Sequence, residues 1–200
     1  MRRVSRDRRG VAAVEFAFIA PLLILLALAT VDLVQFIRSQ LRLDATAVQL
    51  GQLVSQCDSI SNGDVQQFWN YAQQIIGSLG QVTGDSRTTP GAVIISAVYS
   101  QNGANKLAWQ VQTGNASQGS SVGGKIGGPA QIAENFTVPA NQTLLVTEVY
   151  LPLQAWVFSS GFMGNVLKTV LNGTTLYLTR ASNAAAIQQT PKGSSPVCTQ

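Results

Sequence analysis

The sequence has no histidine and carries few charges for its length. Charged residues make up 11% of its 200 residues, against about a quarter in ordinary soluble domains. Without histidine the chain has no Ser-His or Cys-His nucleophile pair and lacks a common zinc ligand. Its acidic residues are scattered, with no spacing that pairs them for acid–base work. We therefore expect no enzymatic activity, no catalytic residue, no metal site and no cofactor.

Basic charge is concentrated at the N-terminus. The chain has 13 basic and nine acidic residues, a net charge of +4. Five arginines lie within the first nine positions, whereas from Val11 to Gln200 eight basic residues balance eight acidic ones. A nucleic-acid-binding surface needs positive charge spread over a folded face. The sequence therefore predicts no nucleic-acid partner.

A long apolar run follows the basic head. Residues 11–37 read VAAVEFAFIAPLLILLALATVDLVQFI, and the uncharged part from Phe16 to Val31 would extend for about 24 Å as a helix. One further turn at each end reaches the roughly 20 residues that cross a bilayer. The positive-inside rule then places residues 1–10 in the cytoplasm and residues 38–200 outside it. We predict a single span in contact with membrane lipid.

Three kinds of N-terminal segment share this outline. They are a cleaved secretory signal with Ala27-Leu28-Ala29 as its cleavage motif, a plain signal anchor, and a prepilin-type leader cut before the apolar run. Gly10 lies where the basic and apolar parts meet, and a protease that threads the backbone there favours a residue without a side chain. Glu15 lies within the apolar run, where a carboxylate costs about 2.5–3.5 kcal/mol near the bilayer centre. Because a signal or anchor has no use for that cost, these residues favour the prepilin-type leader.

Cleavage after Gly10 would give Glu15 a function. It creates an ammonium group on Val11, and the Glu15 carboxylate can pair with that group on an adjacent subunit in a bundle of parallel helices. Buried polar pairs of this kind fix register. The alternative is that Glu15 lies at the cytoplasmic interface and extends towards water. Pro21 removes one helical hydrogen bond and predicts a kink, although membrane helices also tolerate proline with no special role.

Residues 8–17, RRGVAAVEFA, and the following apolar run with Pro21-Leu22-Leu23 closely resemble the start of TadE-like minor pseudopilins. These proteins belong to the Tad, or Flp-type, pilus systems of bacteria, and the resemblance covers about residues 8–45. It implies cleavage between Gly10 and Val11 by a prepilin peptidase, and a role for Glu15 in assembly at the inner membrane. It also implies partners, namely other pseudopilins, the major fibre pilin and the inner-membrane assembly platform.

Residues 38–200 are predicted to form an α+β domain. An apolar stripe extends the first helix to about Gln56 and makes its outer half amphipathic; it consists of Leu43, Ala47, Leu50, Val54 and Cys57. Asp64 is expected to cap a second helix, with Gln67 as its reciprocal partner and Gly80 at the end. The apolar face of that helix comprises Val65, Phe68, Trp69, Ala72, Ile75, Ile76 and Leu79.

Four further segments predict strands, because β-branched and aromatic residues are frequent in them. Asn102-Gly103 supplies a hairpin turn between the first two, and Pro152 must lie at an edge, a bend or the end of the third. The order of elements, with a short helix at Phe162–Leu171, predicts a small, largely antiparallel sheet packed against the helices. The predicted strands are Ala92–Ser100, Lys106–Thr113, Leu144–Phe158 and Thr174–Ala181.

The connection Gly114–Gly128 contains six glycines and has part of the pattern of a phosphate-binding loop. Ile126 occupies the position at which such a loop requires Ser or Thr. We therefore interpret the connection as a mobile surface loop.

Cys57 and Cys198 are the only cysteines, and both follow the predicted span, in a compartment that permits disulfides. Their number predicts one disulfide that attaches the C-terminal tail to the first helix, with two free thiols as the alternative.

Three functions remain open. The leading one is a minor pseudopilin that is processed by prepilin peptidase and assembled through its N-terminal helix into a Tad-type secretion and adhesion pilus. It would lie in the bacterial inner membrane, from which it can enter the extracellular pilus. The second is a single-span periplasmic binding or adhesion module. The third is a secreted hydrolase with a cleaved signal, which the absence of histidine disfavours.

Overall fold

The computed structural model describes residues 8–133, 136–152, 170–180 and 185–198, with side chains from residue 12 onward. The chain divides into two compact units. Unit 1 comprises Met1–Arg38 with Gln154–Lys168, and unit 2 comprises Ser39–Leu153 with Thr169–Gln200. The architecture is α+β, as predicted, with one long helix, a second helix and a four-stranded sheet.

The first helix, α1, extends over Arg8–Ser55, 48 residues, and continues through Pro21. Its length is about 72 Å at 1.5 Å per residue. No side chain from Ala12 to Arg38 is buried, whereas after that point one face of the helix enters the core. The predicted amphipathic outer half is confirmed by its buried residues, Leu43, Ala47, Leu50 and Val54.

The second helix, α2, extends over Asn62–Ile76 and ends in a 3-10 turn, Gly77–Leu79. The predicted start is wrong, because Ser61 is the N-cap and Asp64 is its reciprocal partner. The Ser61 hydroxyl accepts the Asp64 N–H at 3.1 Å, and the Asp64 carboxylate accepts the Ser61 N–H at 2.9 Å. The predicted end at Gly80 is confirmed for the helical segment as a whole, since the α-helix stops at Ile76, where Gly77 has a positive φ of 57°, and the 3-10 turn continues to Leu79 with Gly80 as its C-cap.

The apolar face predicted for α2 is largely confirmed. Ile75 and Leu79 are half-buried. The other members of the face are buried, namely Val65, Phe68, Trp69, Ala72 and Ile76.

The four strands form one antiparallel sheet in the order β2-β1-β3-β4. The hairpin at Asn102-Gly103 is confirmed, with φ of 53° and 77° at these residues, values that suit a two-residue turn. The strands are β1, Ala92–Gln101; β2, Ala104–Gly114; β3, Thr143–Pro152; and β4, Val170–Leu178.

The predicted boundaries around β4 need correction. Pro152 is the last residue of β3, and residues 153–158, predicted to continue that strand, lie outside the described residues. The predicted helix Phe162–Leu171 is wrong at its end, where residues 170 and 171 belong to β4; residues 162–169 are not described.

The long connection between β2 and β3 covers one face of the sheet. Within the segment predicted to be a mobile surface loop, Gly114–Gly128, most residues are exposed, but Val122 is buried against the sheet; the mobility of this segment stays a prediction. Asn105 on β2 anchors the connection, donating to the Phe136 carbonyl at 2.6 Å and accepting the Val138 N–H at 2.9 Å. The glycines permit close turns, while apolar residues between them reach the sheet. The resulting cluster contains Val98, Leu107, Val122, Ala130, Ile132, Val138, Leu144 and Val146.

The outer half of α1 lies against β4 on the opposite face. Two glycines make this approach close. A Cβ added to Gly173 would lie 2.9 Å from the backbone carbonyl carbon of Leu43, and one added to Gly51 would lie 2.7 Å from a methyl group of Thr175. The Arg180 N–H also donates to the Ser55 carbonyl at 2.9 Å, which attaches the end of the helix to the sheet.

Candidate functional site

The predicted processing and assembly residues lie at the start of α1. Gly10 and Val11 are part of its first turn, and Glu15 follows one turn later with an exposed side chain. A separation of four residues places Val11 and Glu15 on the same side of the helix, about 6 Å apart along its axis. An ammonium on Val11 and the carboxylate of Glu15 would therefore lie on one helix face. Cleavage at this point and the register function of Glu15 remain predictions.

The apolar half of α1 leaves many large side chains exposed. Among the described residues, α1 is the one helix long and apolar enough to cross a membrane, and none of its apolar window is buried. Burying apolar surface is favourable by about 25 cal/mol per Å², so in water this surface would strongly favour association. The exposed residues include Phe16, Phe18, Ile19, Leu22, Leu23, Ile24, Leu25, Leu26, Leu28, Val31 and Leu33. The helix suits a single-pass membrane protein.

The hydroxyl of Thr30, in the apolar half of α1, is satisfied within the helix. The Thr30 hydroxyl donates to the Leu26 carbonyl at 2.8 Å, the arrangement that a hydroxyl needs where water is absent. Pro21 has no N–H and leaves one carbonyl of the preceding turn without its helical donor. The kink predicted at Pro21 remains a prediction.

The C-terminal segment is attached to the rest of unit 2 at several points. Cys57 and Cys198 form the predicted disulfide, with their Cα atoms 5.4 Å apart. We call residues 185–198 the C-terminal strap. The Trp109 indole N–H donates to the Ile187 carbonyl at 2.7 Å, which holds the start of the strap on β2.

Asp64 was predicted to be the N-cap of α2, but it lies in the first turn of that helix and also binds the C-terminal strap. Its carboxylate is fully buried and accepts N–H groups of Val197 at 3.1 Å and Cys198 at 3.0 Å. It also accepts the Ser61 hydroxyl at 2.7 Å. One side chain therefore caps α2 and binds the end of the strap beside the disulfide. The Ser61-x-x-Asp64 pattern signals the cap, but no local pattern signals the strap.

A second buried carboxylate, Glu148 on β3, holds the β2–β3 connection on the sheet. It accepts the Ser121 N–H at 2.9 Å, the Ser121 hydroxyl at 2.6 Å and the Tyr150 hydroxyl at 2.8 Å, as well as the Ser120 hydroxyl. Burial, together with the hydrogen bond to Glu148, raises the pKa of Tyr150 well above its ordinary value. Among the described residues, no group of three or more His, Cys, Asp and Glu side chains could hold a metal ion.

Comparison with known proteins identifies the N-terminal part of the chain. A family model described as TadE-like protein matches residues 10–51. This segment is TadE-like. The match begins at the predicted processing site and extends to Gly51, so it includes the apolar half of α1 and most of its amphipathic half. No curated protein and no solved structure matches the chain. The TadE-like segment therefore indicates a Tad pilus-associated protein with an N-terminal apolar helix.

Proposed function

We propose that the protein is a minor pseudopilin of a Tad-type pilus, which lies in the inner membrane with its N-terminus in the cytoplasm and joins the assembly through α1. One observation carries the proposal. The TadE-like segment contains the apolar window of α1, whose side chains are exposed and need either lipid or neighbouring helices to cover them. Its function is structural, without catalysis, cofactor or metal.

Processing by a prepilin peptidase precedes assembly in this proposal. Cleavage between Gly10 and Val11 removes the basic residues that orient the helix and leaves an ammonium at the start of the span. The Glu15 carboxylate of one subunit then pairs with the Val11 ammonium of the next, which sets the axial stagger between parallel helices. Other pseudopilins, the fibre pilin and the platform proteins are the partners that this arrangement would contact.

The position of the mature N-terminus tests the processing step. We expect N-terminal sequencing of the protein from membranes to begin at Val11 when prepilin peptidase is present, and at Met1 when it is deleted. A sequence that begins at Thr30 would identify a cleaved secretory signal instead. A sequence that begins at Met1 in both strains would indicate an uncleaved signal anchor. That form suits a single-span binding or adhesion module.

The Glu15→Val variant tests the register function. It should be inserted and cleaved normally, because the apolar run is preserved, but it should no longer be incorporated into pili. Asp32→Asn is the matched control, since it removes the other acid of residues 11–37, and it should be incorporated as the unmodified chain is. Normal incorporation of Glu15→Val, measured by immunoblotting of sheared pili, would contradict the pairing of Glu15 with Val11.

A further inference from the structure

The end of the sheet at which β3 stops and β4 starts is the end nearest to the predicted span. Near the start of β4, the Asn172 carbonyl accepts the Gln40 amide of α1 at 3.0 Å. Just after the end of β4, the Arg180 N–H donates to the Ser55 carbonyl at 2.9 Å. β4 therefore runs in the same direction as α1, away from the span. Because β3 is antiparallel to β4, it runs towards the span and ends there at Pro152.

This end of the sheet lies at the level of the lipid headgroups. Gln40 follows Ile37, the last residue of the predicted span, by three residues, which is about 4.5 Å along a helix. The headgroup layer on each side of a bilayer is about 5–7 Å thick. Pro152 and Val170 are paired with each other across the two strands. The chain therefore leaves the sheet and rejoins it at the membrane surface.

The chain between Pro152 and Val170 is strongly apolar. Residues 153–169, which we call the β3–β4 connection, lie outside the described residues; their sequence is LQAWVFSSGFMGNVLKT, with Lys168 as the one charged residue. They include Trp156, and tryptophan is enriched where the membrane meets water. Removing apolar surface from water is favourable by about 25 cal/mol per Å². A segment of this composition that starts and ends at the membrane surface is expected to enter the membrane.

One face of α1 continues from the core of unit 2 into the apolar half of the helix. Leu43 and Leu50, seven residues apart, are buried. The same step in the opposite direction reaches Phe36 and then Ala29, and both are half-buried. Residues seven apart lie on nearly the same side of a helix. Val34, on the opposite side, is exposed.

We propose that the β3–β4 connection enters the outer half of the membrane and packs on the face of α1 that carries Phe36 and Ala29. The connection starts and ends on this side of α1, because β4 lies against the helix at Leu43. Eight residues, about half of the connection, extend over at most about 26 Å, and Phe36 precedes Gln40 by only about 6 Å along the axis. Unit 1 also comprises residues 154–168 together with the apolar half of α1.

This contact gives the folded domain a second attachment to the membrane besides α1. It also leaves the opposite face of α1, at Val34, for lipid or neighbouring helices. The proposal rests on one part of the proposed function, the span itself, and is independent of cleavage after Gly10 and of the pairing of Glu15.

Quenching of tryptophan fluorescence by brominated lipid tests the entry into the membrane. The other two tryptophans of the chain, Trp69 and Trp109, are buried in unit 2. The full-length chain in phosphatidylcholine vesicles should lose part of its fluorescence when the acyl chains are brominated, whereas Trp156→Phe should lose none. Equal fluorescence of the unmodified chain in both kinds of vesicle, or quenching that persists in Trp156→Phe, would overturn the proposal.

The matched control moves the third tryptophan to the other end of the sheet. Phe136 is exposed, and its carbonyl is bound by Asn105 beside the first hairpin, away from Pro152. Phe136→Trp, added to Trp156→Phe, should restore the fluorescence in unbrominated vesicles without restoring the quenching. A mobility shift on reduction, which reports the disulfide, verifies that each variant is folded.

Photocrosslinking in the same vesicles tests the packing on α1. A benzophenone amino acid in place of Phe36 should, on irradiation, link position 36 to a peptide of residues 153–169, identified by mass spectrometry after digestion. At Val34, at nearly the same depth but on the opposite side of the helix, it should give no such peptide. In a mixture of isotope-labelled and unlabelled chains, the linked peptides should come from one chain. No link from position 36, an equal link from position 34, or links between two chains would overturn the proposal.

Extraction with alkaline carbonate separates this contact from the span. The unmodified chain and Trp156→Phe should both remain in the membrane, because α1 holds them there. Release of the unmodified chain would refute the span and with it the proposed function. Retention of a chain whose Trp156 is not quenched would refute the β3–β4 contact alone.

Discussion

Asp64 joins parts of the chain that are far apart in sequence, so its replacement should have a large effect. In Asp64→Asn the amide keeps only one acceptor oxygen and turns an N–H donor towards the donors of Ser61, Val197 and Cys198. We expect the free energy of unfolding to fall by about 2–4 kcal/mol, since a buried hydrogen-bond network loses its acceptor. Chemical denaturation of the full chain in detergent measures the change.

The control for this substitution is Asp85→Asn. Asp85 is exposed and accepts the Arg87 N–H at 2.7 Å in a tight turn, and asparagine can accept the same group. Asp85→Asn should therefore change the free energy of unfolding by less than about 0.5 kcal/mol. A loss from Asp64→Asn no larger than that from Asp85→Asn would contradict the function of the Asp64 carboxylate in holding the strap.

The raised pKa of Tyr150 predicts that the folded protein loses stability at alkaline pH. Its pKa is raised in the folded protein by burial and by the hydrogen bond to Glu148, whereas in the unfolded chain it ionises near its ordinary value of about 10. Above that pH the unfolded chain binds fewer protons than the folded one, so the free energy of unfolding falls as pH rises. Tyr150→Phe should cost about 1 kcal/mol at pH 7 but show a shallower decline between pH 9 and 11. Parallel pH profiles for the two proteins would contradict this assignment.

At the level of residues, the hydrogen-bond partners of the two buried carboxylates, Asp64 and Glu148, could not be predicted from the sequence. In sequence, Glu148 is the one charged residue of a largely apolar strand, and no neighbouring residue explains its burial. Its partners Ser120 and Ser121 come from a glycine-rich connection whose composition is typical of mobile loops. Val122 is buried beside them and fixes the connection on the sheet. The pairing depends on a tertiary contact across 27 residues, which no local pattern encodes.

At the level of elements, the contact between α1 and β4 depends on a glycine. A Cβ at Gly173 would lie 2.9 Å from the backbone carbonyl carbon and oxygen of Leu43. Because these are backbone atoms of a long helix, they cannot move aside easily. Gly173→Val should therefore reduce the free energy of unfolding by about 3 kcal/mol. Its neighbour Thr174 is exposed on the other face of β4, so Thr174→Val should have little effect in the same denaturation experiment.

The same glycine explains why the start of β4 could not be predicted. Asn172-Gly173 has a composition typical of turns, and the predicted strand begins only after it, at Thr174. In the structure both residues are within the strand, opposite Tyr150 and Val149, and the glycine provides room for α1. The helices and the first hairpin were predictable because their periodicity and turn residues are local. The TadE-like segment was recognisable for the same reason, since its residues are contiguous.

At the level of the whole molecule, the strap closes unit 2 by joining the end of α1 to the far end of the chain. The disulfide links residues 141 positions apart, and the loop that it closes contains α2 and all four strands. The end of α1 is therefore held on the sheet by this junction and by the packing of the outer half of α1 on β4.

Removing the disulfide should consequently affect the whole of unit 2. Closing a loop of this length reduces the entropy of the unfolded chain enough to stabilise the folded protein by about 4–5 kcal/mol. In Cys57→Ser the free energy of unfolding should fall by about that amount, and reductant should have no further effect on it. The unmodified chain should lose the same amount on reduction, so that the two denaturation curves coincide. If the variant were as stable as the oxidised protein, the hydrogen bonds of Asp64 and Trp109 would suffice to hold the strap, and the disulfide would contribute nothing to the connection between α1 and the sheet.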